Sequence, residues 1–409
     1  YEVGVRTVHY AKLFAPGTKE LIDSGIVFCF RAPASFTGED MAELQVHGSI
    51  AVIDALSEIL CAQGLRPAEP GEFTLRAFEN GKIDLAQAEA LADLIDAETT
   101  LQKQQALQQA DGRLSAVAAD WNMRLLQSLA PLEAGIDFPD EEDVPAEIES
   151  NAVPVINAFI SELSDYLEVS SQAKRVREGI SIVLLGRPNA GKSSLLNYLA
   201  NSEVAIVSDT PGTTRDLVTA RLDIEGVPVT IIDTAGLREV THDTIELEGM
   251  RRARESASQA DIRLLLVDGS HTSQELHQLT RELLTGDAVI YTKRDLEDPV
   301  PDLMVDGVET LSASVVTGQG MMELRQFLSR RIVELCGDVE EPRLTRLRHV
   351  HAVQNAREAL IRSLERINMH PELAAEDVRL AMRHLGSITG KVDVEDILGE
   401  IFSSFCIGK

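Results

Sequence analysis

The sequence predicts a multidomain α/β protein: a small α+β domain first, then an α-helical domain interrupted by a doubly wound, mostly parallel sheet. Three observations predict it. Between about residues 178 and 335, apolar strand-like runs alternate with helical segments. A stretch rich in Ala, Leu and Gln, with almost no Gly, precedes that region, and the chain turns helical again after Pro342, so the α/β unit reads as an insertion. The first apolar run of the insertion, Ile180 to Leu185, opens directly onto a glycine-bearing loop followed by a helix.

Composition sets the frame. The chain has 409 residues, room for two or three domains, and 44% of them are hydrophobic, enough for packed cores. Net charge is -28, which argues against a surface coated in basic residues for nonspecific nucleic-acid binding while leaving room for a local basic patch. No apolar run approaches bilayer length, so no membrane partner is expected. Cys29, Cys61, Cys336 and Cys406 are scattered without a CxxC pair. Neither a zinc ribbon nor a disulfide framework is indicated, and a reducing compartment, the cytoplasm or an organelle matrix, is expected. The chain opens at Tyr1 rather than Met, so its start is read as truncated.

Residues 1–81 mix short apolar runs, such as Gly25-Ile26-Val27-Phe28-Cys29-Phe30, with Gly and Pro, and predict the α+β domain. Residues 82–177 predict long helices: Leu91, Leu94 and Ile95 recur at helical spacing, as do Leu125, Leu129 and Leu132. The acidic, Pro-containing run Phe138 to Asp143 breaks them. Residues 178–335 form the inserted α/β domain. Residues 336–409 return to helix, with Val353, Ala356, Leu360, Leu364 and Ile367 on one stripe. No internal repeat or low-complexity segment is visible.

The loop after Ile180–Leu185 reads Gly186-Arg187-Pro188-Asn189-Ala190-Gly191-Lys192-Ser193 and matches GxxxxGK[ST]. Its glycines let backbone N–H groups turn toward phosphate oxygens, and the next helix aims its positive end at the same place. Asn189, Ala190, Gly191, Lys192, Ser193 and Ser194 are the expected phosphate cradle. Lys192 is placed to reach the β- and γ-phosphates, and the Ser193 hydroxyl to bind Mg²⁺.

Further loops choose the nucleotide. Thr213-Thr214-Arg215-Asp216 stands where a segment that closes on Mg²⁺ and senses the γ-phosphate belongs. The run Val227 to Ile232 delivers Asp233-Thr234-Ala235-Gly236. Asp233 is expected to hold Mg²⁺ through water, and Gly236 to offer its N–H to the γ-phosphate. The run Ala288 to Tyr291 ends in Thr292-Lys293-Arg294-Asp295, similar to the [NT]KxD guanine loop. The Asp295 carboxylate accepts from guanine N1–H and the exocyclic amine, a pair adenine cannot supply. Lys293 would lie along the base. Ser312-Ala313-Ser314 follows a short strand and would offer a backbone N–H to the guanine O6. Singly these motifs are weak; in this order, each at a strand end, they predict a Ras-like P-loop GTPase domain.

Its catalytic group is less regular. Leu237 occupies the position after Asp233-Thr234-Ala235-Gly236, where a water-orienting Gln is common, so another group must position the water. Glu239, Asp243, Glu246 and Glu248 are all near; each is equally readable as part of a solvated acidic loop. Asn189 beside the phosphates could ligate K⁺ and supply positive charge where an arginine finger otherwise acts. Arg187 and Arg215 are the cis-acting alternatives, with surface or structural arginine as the bland reading.

Other stretches carry a family resemblance. Ser35 to Asp40, Pro70 to Thr74, Asn80 to Ala90, Gly186 to Asn189 and, most specifically, the ending Ile401-Phe402-Ser403-Ser404-Phe405-Cys406-Ile407-Gly408-Lys409 together resemble the MnmE (TrmE) tRNA-modification GTPases over essentially the whole chain. The resemblance implies an N-terminal domain that is folate-binding-like, takes 5-formyl- or 5,10-methylene-tetrahydrofolate and mediates a homodimer. It implies a heterotetramer with the FAD protein MnmG (GidA), and tRNA as substrate, modified at C5 of the wobble uridine. Carried over residue by residue, Asn189, Ser208, Thr210 and Thr213 fall on the K⁺ site, with Ser208 and Thr213 also at the nucleotide. Ser193 and Thr214 fall on the Mg²⁺ ligands. Glu246 falls on the water-orienting glutamate if one extra residue is allowed after Asp233. Glu43, Lys82 and Lys409 fall at folate contacts, and Cys406 is a candidate thiol beside them. Gly408 and Lys409 fit a prenylation signal poorly. The chain departs from the family by its missing opening strand and glycine-rich turn, and by Thr292 where Asn is more usual. Two other readings compete. A ribosome-assembly, RNA-binding GTPase would share the nucleotide loops alone; a folate-binding regulatory module would use GTP only as a switch.

Overall fold

The structure, a computed structural model, describes residues 5–137, 148–202, 204–206, 218–233, 258–268, 276, 279–293, 305–337, 343–392, 398, 401, 402 and 405. The chain divides into two compact units, one of residues 1–95, 108–161 and 351–409, the other of residues 96–107 and 162–350.

The first unit opens with an antiparallel sheet of β1 (His9–Phe14), β2 (Leu21–Phe30) and β3 (Met41–Gln45), in that order. The apolar run expected at residues 25–30 is the second half of β2. Helices α1 (Ile50–Ala62), α2 (Glu72–Glu79) and α3 (Leu85–Ile95) follow. The next helix is α4 (Thr100–Ala110), and after it come α5 (Arg113–Asp137) and α6 (Ile148–Glu178). On α5 the spacing Leu125, Leu129, Leu132 is the buried stripe, as the periodicity predicts. On α3 the outcome differs. Its buried face is Leu85, Ala86, Ala88, Glu89 and Ala90, whereas Leu91 and Leu94 are half-buried and Ile95 is exposed. Three of these five are alanines, which a count of large apolar residues passes over.

In the second unit a seven-stranded sheet runs β10-β9-β8-β4-β7-β6-β5. The strands are β4 (Ile180–Leu185), β5 (Val204–Ala205), β6 (Val218–Ile224), β7 (Val227–Asp233), β8 (Ile262–Val267), β9 (Ala288–Tyr291) and β10 (Glu309–Ser312). The five from β10 to β7 are parallel, and β6 and β5 add on antiparallel. Both faces of the central strands are covered. Ile262, Leu264 and Leu266 join a core with Leu195, Leu196 and Leu199 of α7 (Lys192–Ser202) and with Leu324, Phe327 and Ile332 of α8 (Met321–Cys336). Leu265 and Val267 join Val289, Tyr291, Leu276 and Leu283 on the other face. Two-sided burial is why these strands are mostly apolar, and the exception on β8, Arg263, is buried with its partner Asp287.

The last helices, α9 (Leu347–Arg366) and α10 (Pro371–Gly386), pack with Ser363 Oγ donating to Ala374 O at 3.0 Å. In the first unit Arg379 of α10 pairs with Glu133 of α5 at 2.6 Å, and Trp121 meets Phe159 edge-on. Among the described residues no helix is long and apolar enough to cross a membrane.

Candidate nucleotide site

The site forms where β4 ends and α7 begins. Gly186 takes φ +140, and a Cβ there would lie 2.5 Å from Leu266 O, so only glycine lets the loop leave β4 against β8. Asn189, at φ +64, turns the loop through the left-handed region. Lys192, almost fully buried, folds back over the loop: its ammonium donates to Gly186 O at 2.9 Å and Arg187 O at 2.8 Å. A cation is thereby held inside the turn whose glycines and helix start suit an anion.

β7 lies beside β4, with Asp233 in register with Leu184. This brings the expected magnesium carboxylate to α7: Ser193 Oγ donates to Asp233 Oδ2 at 2.6 Å, and Asp233 is fully buried. A hydroxyl and a carboxylate held together are the hard oxygen donors that Mg²⁺ prefers.

The base side is built by β9 and β10. Thr292 donates its hydroxyl to Ala190 O of the phosphate loop at 2.8 Å and to Val267 O at 3.3 Å. Its N–H also donates to Val267 O, at 2.8 Å. Lys293 follows at φ +58 and pairs with Asp268, 3.0 Å away. Sequence reasoning missed Asp268. It ends an apolar strand like many loop aspartates, and only the adjacency of β8 and β9 connects it to Lys293. The loop Ser312-Ala313-Ser314 sits where expected, but its N–H groups are engaged: Ala313 N donates to Tyr291 O at 2.8 Å and Ser314 N to Gln319 O at 2.9 Å. A base oxygen would have to share one of them as a second acceptor. Of the other expected residues, Ala190, Gly191 and Ser194 lie in the loop and α7. Ser208, Thr210, Thr213, Thr214, Arg215, Thr234, Ala235, Gly236, Glu246 and Asp295 lie outside the described residues.

In the first unit the family-like stretches converge. Asn80 Nδ2 donates to Thr37 O at 2.9 Å, and Lys82 Nζ to Pro33 O at 2.8 Å. Arg76 pairs with Glu72 at 2.6 Å and Glu39 at 3.2 Å. Arg66, the backbone N–H of Glu69 and Arg76 together hold the Glu72 carboxyl down at about 2. Phe402 and Phe405, from the chain's last stretch, join Phe78, Leu85 and Ala88 in one cluster. Glu43 is exposed on β3, opposite Phe28 of β2. Cys406 and Lys409 lie outside the described residues.

A phosphate loop after a central parallel strand, with a neighbouring strand ending in a buried Asp against its serine, defines a P-loop nucleotide-binding domain of the Ras-like GTPase class. Residues 2–82 match the profile described as GTP-binding protein TrmE N-terminus, and residues 85–406 match the MnmE helical domain. The tRNA modification GTPase MnmE of Phenylobacterium zucineum (strain HLK1) is 51% identical over 396 residues, covering 95% of this chain and 87% of that protein. Its counterpart in Maricaulis maris (strain MCS10) is 48% identical over 389 residues, with coverage of 95% and 87%. The chain belongs to the MnmE (TrmE) family of tRNA modification GTPases.

Proposed function

We propose that the protein is a K⁺-stimulated GTPase that helps to place an aminomethyl-type (carboxymethylaminomethyl) group on C5 of the wobble uridine, U34, of certain tRNAs. It acts as a homodimer, in a heterotetramer with the FAD protein MnmG (GidA), in the cytoplasm. The one-carbon unit comes from 5-formyl- or 5,10-methylene-tetrahydrofolate. Residues 1–81 serve folate binding and dimerisation, residues 82–177 and 336–409 form the helical domain, and residues 178–335 hydrolyse GTP. The observation that carries this reading is the meeting of Lys192, Ser193, Asp233 and Thr292 around one loop.

Each group has a role its chemistry suits. Lys192 holds the β- and γ-phosphates, exchanging two carbonyl partners for phosphate oxygens. Ser193 and Thr214 ligate Mg²⁺, and Asp233 holds its water shell. Bound Mg²⁺ supplies neutralising charge across the phosphate oxygens. Asp295 selects guanine, with Thr292, Lys293, Ser312, Ala313 and Ser314 framing the base. Gly236 offers its N–H to the γ-phosphate, and Glu246 orients the attacking water. Asn189, exposed in the loop, acts with Ser208, Thr210 and Thr213 as the K⁺ site. In the first unit Glu43, Lys82 and Lys409 contact the folate, beside the Cys406 thiol. The anchoring of Phe402 and Phe405 against α2 and α3 supports this, because it ties the chain's last stretch to the Lys82 loop.

Mass spectrometry of tRNA nucleosides from cells lacking the protein tests the reading. Loss of the C5-modified wobble uridine is expected, and full retention would overturn it. GTP turnover should fall sharply when K⁺ is replaced by Na⁺; equal rates would remove the role given to Asn189.

A further inference from the structure

Lys293 holds an unusual backbone. A non-glycine residue at φ +58 costs about 1 kcal/mol or more unless its surroundings enforce it. Two contacts enforce it here. On one side Thr292 is pinned to Val267 and Ala190. On the other, the Lys293 ammonium is anchored by Asp268 at 3.0 Å. The Asp268 side chain is only 13% exposed, whereas that of Lys293 is 40% exposed. The buried partner is therefore the fixed one, and the lysine is the arm it directs. Asp268 directly follows β8 and Lys293 lies two residues past β9, on neighbouring parallel strands, so the anchor rests on the sheet.

We propose that Asp268 is a positioning residue for the purine: by holding the Lys293 ammonium it lays the lysine's methylene stem along the face of the base. This rests on the guanine-nucleotide reading above and adds to it a second carboxylate with a different task. Asp295 reads the base edge. Asp268 acts through Lys293 and reads only the presence of a ring. Its replacement therefore weakens all purine nucleotides that the edge contact accepts, and leaves the phosphate chemistry alone.

The test is a double-mutant cycle on the full chain with Asp268→Asn and Lys293→Met, titrated with GDP and with IDP, which lacks the exocyclic amine. D268N is expected to weaken GDP and IDP by the same factor, about fivefold, the size of a partly screened ion pair. The KM for GTP should rise by a similar factor with kcat unchanged. D268N should have no further effect once Lys293 is Met, and Asp268→Glu should recover most of the affinity. An unchanged affinity in D268N, an undiminished effect in the K293M background, or a loss confined to GDP would overturn the proposal while leaving the guanine site intact. If the wild type bound neither GDP nor IDP in preference to ADP, the guanine-nucleotide reading and this inference would fall together.

Discussion

At the scale of single residues, the site depends on short polar side chains that each serve two elements. Thr292 is the clearest. Its hydroxyl joins the end of β9 to the phosphate loop through Ala190 and to β8 through Val267. Thr292→Val keeps the shape and removes the donor, leaving those carbonyls to lose a partner. A loss of about 1–2 kcal/mol in stability is expected by denaturant titration, with Thr292→Ser restoring most of it. A valine variant as stable as the wild type would show that the hydroxyl is dispensable. Cys336 gives a prediction in the other direction. Burial pushes its thiol up to about 11 from an ordinary value near 9. The folded state therefore keeps a proton that the unfolded chain loses, and stability should fall as pH rises from about 9 to 11. At neutral pH, iodoacetamide should label the exposed Cys61 and spare Cys336, as mass spectrometry of the native protein would reveal. Residues of this sort differ in how readable they are. Lys192 and Asp233 stand in fixed motifs at strand ends, so the sequence exposes them. Asp268 and the Arg76–Glu39 pair become meaningful only when separate elements meet.

Whole elements show the same division for a physical reason. β4 and β9 begin and end where their apolar runs do, because both faces of each strand are covered; the one polar residue, Ser181 of β4, is tied to Asp261 at 3.0 Å. β6 reads Val-Thr-Ala-Arg-Leu-Asp-Ile, and its polar alternate residues mark one open face, so no continuous run announces it. β1 and β3 were equally hidden, since their burial never exceeds half-buried positions. The β6–β7 turn also shows how local sequence meets packing. Glu225 and Gly226 both have positive φ, at +54 and +78, as a two-residue hairpin turn requires. Gly226 O accepts from Leu101 N at 3.2 Å, and Arg221 pairs with Glu98 at 2.7 Å, so the first turn of α4 and the residues just before it are seated on the hairpin. A Cβ on Gly226 would stand 3.1 Å from Leu101 Cγ. Gly226→Ala is expected to cost about 1–2 kcal/mol, from the backbone conformation and the crowding together. In the Leu101→Ala background the crowding part should vanish, so the two substitutions should be less than additive by chemical denaturation. Strict additivity would mean that the seat is not where the strain falls.

At the scale of the molecule, two cores within one chain make cooperative unfolding in a single step unexpected. The core of the second unit is built on the sheet that carries the nucleotide site, with α7 and α8 against it. The first unit has its own buried residues on α5, including Leu125, Leu129 and Leu132, and its own helix packing of α5 against α10. A ligand that binds only the folded form of one unit stabilises that unit alone. GDP at about a hundred times its Kd contributes about 2.7 kcal/mol. For a domain of this size that is a rise of roughly 5–10 °C. Leu129→Ala removes apolar volume from the other unit and should cost about 2–5 kcal/mol there. Differential scanning calorimetry is therefore expected to show two transitions, one raised by GDP and unmoved by Leu129→Ala, the other lowered by Leu129→Ala and unmoved by GDP. ADP should move neither, because the phosphate loop is shared by all nucleotides but the base is chosen elsewhere. One transition that responds to both the nucleotide and the α5 substitution would mean that the helical core and the nucleotide sheet unfold as a single thermodynamic body. The division of labour between the units would then need a mechanical link rather than two separate stabilities.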